Sequence, residues 1–236
     1  MGKHHLLFIG SKARQGKDET ANIISKLKGN TYIFHFGDPL KIELTNTERK
    51  YPLVIKKDNT VQILDNFAMG RYRHFNLNEV PYLKKILSER QIDKYWGQDG
   101  KDREMLQFWG TDYRRRKLTD NYWVNIVDQW IDEIISKKSN KDTYICIPDT
   151  RFKNEARLAL KYKKHPLFED TQNTSRYINV QRFNEDGTRY VAEDGDPNHA
   201  SEIDLDDYEA DYTIISKSGI ENLELEVVKF LTEMKY

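Results

Sequence analysis

The chain has 236 residues, and Lys+Arg and Asp+Glu number 38 each, so the formal net charge is zero. That balance argues against a strongly basic nucleic-acid binder, though local basic clefts remain open. The length fits one α/β domain with an excursion or two small domains, and 14 Tyr, 10 Phe and 4 Trp supply a core that excludes disorder throughout.

In chain order, the apolar run 6–9 closed by Gly10-Ser11 reads as a buried parallel strand. Ala21, Ile23, Ile24 and Leu27 recur at helical spacing over 17–28. A second strand is expected over 32–36, ending at Gly37-Asp38-Pro39, with a helix over 40–48. Residues 49–100 mix charge, aromatics and two prolines, and only 80–93 carries a helical pattern there. This stretch reads as an inserted lid or substrate subdomain, with 1–48 and 101–236 as the core. From 103 the pattern is helical, most strongly over 121–136. Strands over 143–147, 175–183 and 212–215 alternate with helices over 152–163 and 220–234, and a polar stretch fills 184–210. Cys146, the single cysteine, excludes an internal disulfide and reads as a small core residue.

Strands alternating with helices predict a mostly parallel sheet flanked by helices. Right-handed crossovers then gather the strand C-termini at one edge, where such sheets bind ligands. No apolar run reaches the roughly 18 residues a spanning helix needs, and 6–9 is too short for a signal peptide. No membrane association is expected, and the cytoplasm is the expected compartment.

The sharpest motif is Gly10-Ser11-Lys12-Ala13-Arg14-Gln15-Gly16-Lys17-Asp18, between the first strand and the first helix. In that context it reads as a phosphate-binding loop of the P-loop NTPase type. Backbone N–H groups of the loop and helix start point at phosphate oxygens, Gly16 permits unusual dihedrals, and Lys17 reaches the terminal phosphates. Two positions depart from the consensus: Ser11 stands where a glycine is usual, and Asp18 where Ser or Thr would hold Mg²⁺. Asp18 is the candidate metal ligand. An ordinary strand-to-helix turn is the competing reading.

Asp38 and Asp149 end strands at the same predicted edge, where a carboxylate can orient Mg²⁺ or a sugar hydroxyl. Either can also be a helix N-cap. Arg151 can clamp a phosphate bidentately, as lysine cannot. The run Arg114-Arg115-Arg116-Lys117 is either a solvated helix face or a phosphate-facing surface. Gly110-Thr111 is either a close approach to a nucleotide between helices or a helix break. No residue spacing resembles a structural zinc site.

Four blocks carry a resemblance to the bacteriophage-type deoxynucleoside monophosphate kinases. They are Lys12 to Ala21 with Asp18, Asp38-Pro39-Leu40-Lys41, the stretch from Arg103 to Trp123, and Pro148-Asp149-Thr150-Arg151 with Asn154-Glu155. Weaker echoes lie at Arg73, at His199 with Ser201-Glu202, and near the C-terminus. The blocks run in the family's order across nearly the whole chain. The resemblance implies phosphoryl transfer from ATP, with Mg²⁺, to a deoxynucleoside monophosphate. Ser11, Lys12, Ala13, Arg14, Gln15, Gly16, Lys17, Asp18 and Glu19 would hold ATP. Asp38, Leu40, Lys41, Arg73, Arg103, Gly110, Thr111, Trp123, Asp149, Arg151, Glu155 and Glu202 would line the monophosphate site. Lys17, Arg151 and Asp149 would be catalytic, with Arg182 neutralising transferred charge. The partners implied are nucleotides, with no stable nucleic acid, in a host cytoplasm for a phage-encoded protein. A dimer through 121–136 stays open, as do a dephospho-coenzyme A kinase-like activity and a nucleic-acid-binding P-loop module.

Overall fold

The computed structural model describes residues 2–50, 54–55, 60–65, 71–76, 108–116, 118–169, 172–192 and 200–236. In chain order the elements are β1 (His4–Gly10), α1 (Lys17–Lys28), β2 (Thr31–Ile33), α2 (Gly37–Lys50), β3 (Val54–Ile55), β4 (Thr60–Asp65) and β5 (Arg71–Asn76). After a π-helix (Phe108–Arg115) come α3 (Tyr122–Ile135), β6 (Thr143–Thr150), α4 (Lys153–Lys163), β7 (Thr174–Phe183), α5 (Ala200–Ile203), β8 (Tyr212–Lys217) and α6 (Ile220–Glu233). They form two compact units, Met1–Phe36 with Val124–Tyr236, and Gly37–Trp123.

The first unit is built on a five-stranded sheet in the order β2-β6-β1-β7-β8. Every pairing is parallel. The central strands are apolar on both faces because both faces are covered. Leu7 and Ile9 of β1 pack with Ile23 and Ile24 of α1 and Val227 and Phe230 of α6. Leu6 and Phe8 pack with Val127 and Ile131 of α3 and Ala156 and Ala159 of α4. Parallel register sets Gly10 beside Thr150 on one side and Asn179 on the other, so the C-terminal ends of β1, β6 and β7 share one edge.

Two strand boundaries differ from the sequence pattern for visible reasons. β2 stops at Ile33 because the backbone leaves the ladder. Phe34 N–H still reaches the Cys146 carbonyl, and Phe36 N–H donates to Asp149 Oδ1 at 2.7 Å. β6 runs three residues past Ile147, through Pro148, where the register with β1 shifts between Phe8 and Gly10. Proline lacks the N–H for a regular ladder and is tolerated at such an irregularity. Gly37-Asp38-Pro39, read as a strand terminator, instead opens α2. Proline in a first helical turn gives up an N–H that would have had no intrahelical partner.

His5 sits in the first unit between the rings of Tyr144 and Tyr236, at 4.8 and 4.9 Å, with Nδ1 2.9 Å from Thr174 Oγ1. Burial pushes its pKa down to about 4. The unfolded chain binds this proton near pH 6.5 and the folded chain does not, so stability is full above pH 6.5 and falls as pH drops toward 4. We expect acidification across that window to cost about 2 kcal/mol through His5 alone. Urea titrations at pH 7 and pH 4.5 should show a smaller loss for His5→Phe than for the parent; equal losses would reject the assignment.

In the second unit, β3, β4 and β5 form an antiparallel sheet in that order, and α2 and the π-helix carry a buried polar cluster. Glu43 of α2 is 3% exposed and accepts hydrogen bonds from Trp109 Nε1 (3.0 Å), Tyr122 Oη (3.0 Å) and the Arg114 guanidinium. Arg114 is fully buried and lies 5.1 Å over Trp109 and 5.0 Å over Tyr122. A π-helix bonds residue i to i+5, which stacks Trp109 and Arg114 on one face. Burial pushes the Glu43 carboxyl up, against the pull of Arg114. Both sequence readings of the arginine run therefore fail at Arg114, which is neither solvated nor open to a phosphate.

The expected insertion 49–100, including the helix over 80–93, lies mostly outside the described residues, and its described strands belong to the second unit. No helix among the described residues is long and apolar enough to cross a membrane.

Candidate functional site

The strand β1 ends at Gly10, and the chain turns through 11–16 into α1. Gly10 is required by contact: a Cβ there would lie 2.6 Å from the Tyr177 ring and 2.8 Å from the Thr150 carbonyl oxygen. Gly16 caps α1 in the left-handed region at φ 97°, and Arg14 also has positive φ, at 56°. These two dihedrals fold the loop back over the helix start, the geometry in which successive N–H groups form an anion-binding concavity.

Lys17, the first residue of α1, is 5% exposed. Its Nζ donates to the carbonyls of Ser11 at 3.0 Å and Lys12 at 2.5 Å, inside its own loop. Burial pushes its pKa down to about 8, helped by the nearby positive charge of Arg151 and opposed by Glu202, Asp18 and Asp149. The ammonium is desolvated without a full counter-charge, which favours a bound anion.

The rest of the loop is tied down. Gln15 Nε2 donates to the Tyr190 carbonyl (2.8 Å), and Gln15 Oε1 accepts from Arg182 N–H (2.6 Å). Arg182, expected to neutralise charge, lies 4.1 Å over Tyr190 and donates through Nε to Ser218 Oγ. Arg14 and Glu19 are exposed. Ser11, whose Oγ is buried with no hydrogen-bond partner among the described residues, lines a cleft of about 100 Å³. Lys12, Asn179, Gln181, Arg189 and Glu202 also line it.

Asp149 and Arg151 stand at the end of β6, beside the loop. Asp149 does not cap α4, whose N-cap is Phe152. Its Oδ1 instead anchors Phe36 N–H. Buried Glu155 accepts from the backbone N–H groups of Arg151 and Phe152, at 2.8 and 3.1 Å, which fixes the turn that presents Arg151. The Arg151 guanidinium pairs with Glu202 of α5.

Thr20 cannot substitute for the missing Ser or Thr after Lys17. It is fully buried, and its hydroxyl donates to the Gly16 carbonyl at 2.9 Å. The Asp18 carboxylate is exposed, lies 2.8 Å from His35 Nε2, and is held below the usual carboxylate pKa chiefly by that hydrogen bond. No cluster of three or more His, Cys, Asp or Glu side chains could cage a metal among the described residues. Mg²⁺ in phosphoryl-transfer sites takes only one or two carboxylates plus phosphate oxygens, so Asp18 and Asp149 suit it as hard oxygen donors.

The first unit thus brings together the loop, Asp149, Arg151, Glu155 and Glu202. Asp38, Leu40, Lys41, Gly110, Thr111 and Trp123 lie in the second unit. There Lys41 Nζ reaches Asp38 Oδ1 at 3.1 Å within the first turns of α2. Gly110 lies within the π-helix rather than between helices; a Cβ would meet Leu40 at 2.8 Å. Buried Trp123 donates through Nε1 to the Gly110 carbonyl at 3.0 Å. Arg73 lies in β5 opposite Ile63, and Arg103 and His199 fall outside the described residues.

Sequence reasoning missed the acidic segment after α5. Asp206 pairs with Lys12 at 3.0 Å, Asp204 accepts from Lys153 N–H at 2.7 Å, and Asp207 pairs with Lys153 Nζ. The signal available was sign complementarity: Glu202, Asp204, Asp206 and Asp207 cluster in a stretch otherwise read only as polar, while Lys12, Arg151 and Lys153 lie in or beside the loop motif and the Pro148-Asp149-Thr150-Arg151 block.

No family model matches the sequence, and no curated protein matches it. Among solved structures, the chain is similar to a dephospho-CoA kinase from Campylobacter jejuni, with a TM-score of 0.42 and 16% identity, over 98% of this chain and 97% of that one.

Proposed function

We propose that the protein is a P-loop phosphotransferase that moves the terminal phosphoryl group of ATP to a deoxynucleoside monophosphate, giving ADP and a deoxynucleoside diphosphate. The observation that carries the phosphotransferase reading is the buried Lys17 ammonium, folded against its own loop carbonyls, with Arg151 close enough to depress its pKa. Two cations at the C-terminal edge of a parallel sheet, next to an anion-binding loop, suit a reaction whose barrier is dominated by phosphate charge. The deoxynucleotide acceptor rests on the sequence resemblance, in particular Asp18 after the loop lysine and the block from Pro148 to Arg151.

The loop amides and Lys17 would bind the donor phosphates. Arg151 would neutralise charge on the moving phosphoryl group, its backbone held by Glu155. Mg²⁺, held by Asp18 and Asp149 together with phosphate oxygens, would supply further charge neutralisation when bound.

A coupled ADP-release assay with ATP, Mg²⁺ and each of dGMP, dTMP, dCMP, dAMP, GMP and dephospho-coenzyme A tests the reading. We expect release only with a deoxynucleotide, at turnover on the order of 1–100 per second. Release only with dephospho-coenzyme A would keep the phosphotransferase and replace the acceptor. ATP binding with no acceptor-dependent release would remove the transferase.

A further inference from the structure

Glu202 occupies a place where an anion belongs. Its Oε2 accepts the Ala13 N–H of the phosphate loop at 2.7 Å, and its Oε1 pairs with the Arg151 guanidinium. Both donors are ones a phosphoryl oxygen would use, and here one carboxylate bridges the loop amide and the arginine. The Glu202 and Arg151 side chains are 14% and 31% exposed, which limits screening. The neighbouring Lys12–Asp206 pair, at 36% and 53%, is open to solvent and contributes little by comparison. Backbone contact from Lys153 N–H to Asp204 fixes the segment that presents Glu202.

We infer that Glu202 is a specificity-determining residue for the site proposed above: its carboxylate stands in for a phosphoryl group, and a ligand must displace it to reach Ala13 N–H and Arg151. This rests on the phosphate-loop reading. A weakly charged anion gains too little to displace a carboxylate held by an arginine and an amide. A polyphosphate gains more, because it also engages Lys17 and the remaining loop amides. The internal carboxylate thereby sets the minimum charge of an accepted ligand and keeps the loop from holding inorganic phosphate. The cleft bordered by Glu202, Ser11 and Asn179 gives the displaced side chain room to turn.

Calorimetric titration of the full chain with ATP, pyrophosphate and inorganic phosphate tests this, using the parent, Glu202→Gln and Asp206→Asn. Gln keeps the shape and loses the charge. We expect Glu202→Gln to bind ATP and pyrophosphate about ten-fold more tightly, since a charge-assisted contact no longer has to be broken. It should also gain measurable affinity for inorganic phosphate. Asp206→Asn should change affinity by less than about two-fold, as an exposed pair does. Unchanged or weaker binding of ATP and pyrophosphate by a folded Glu202→Gln, with the parent still binding ATP, would overturn the inference and leave the loop reading intact. If Glu202→Gln does not fold, an Asp206→Asn effect of ten-fold or more would overturn the assignment to Glu202, and a value within two-fold supports it. If neither the parent nor any folded variant binds ATP or pyrophosphate, the phosphate-loop reading falls, and this inference with it.

Discussion

Lys17→Met is expected to reduce phosphoryl transfer by about 10³-fold or more, a loss of about 4 kcal/mol of transition-state stabilisation. The ammonium is the one loop charge withdrawn from water, at 5% exposed, and its pKa of about 8 records a desolvation cost that phosphate would offset. Methionine retains most of the aliphatic stem and removes the charge. The fold should survive. The lost hydrogen bonds run only to the carbonyls of Ser11 and Lys12, and the stem packs at the start of a helix whose buried residues Ala21, Ile23 and Ile24 are untouched. The comparison to make is acceptor-dependent ADP release beside a thermal melt. Parental turnover in a folded variant would sink the phosphate-loop assignment, and loss of the melt would leave a packing role instead.

The largest stability effect is expected at Glu43. Glu43→Gln removes the carboxylate that pairs with the fully buried Arg114 guanidinium, and breaking one partner of such a pair costs about 3–5 kcal/mol. Replacing both, as Glu43→Leu with Arg114→Met, should recover part of that loss, because both members of the pair are then removed together. The residual comes chiefly from buried Trp109 Nε1, which loses the Glu43 acceptor, at about 1–3 kcal/mol. Urea unfolding of Glu43→Leu, Arg114→Met and the double closes a thermodynamic cycle. A coupling energy near zero would show that the pair is not the organising contact of its unit.

Local spacing made some of the chain legible. The apolar run 6–9, the glycine and lysine after it and the helical period over 17–28 depend on neighbours in sequence, and β1, the loop and α1 appear where that pattern sets them. The alternation of strands and helices carried the parallel sheet, because a crossover helix is the only short way to join parallel strands.

Tertiary packing decided the rest. The basic run at 114–117 has two readings by composition, and at Arg114 neither holds in space, since a partner 71 residues away, Glu43, accepts from Arg114. Asp149 reads as a site carboxylate or as a cap in sequence, while in space the backbone of Phe36, 113 residues earlier, takes one of its oxygens. Glu202 lies 189 residues from the amide it holds. A sequence window fixes which groups can donate and accept, but desolvation and pairing are set by whatever the fold places within 3 Å, and those neighbours are distant in the chain.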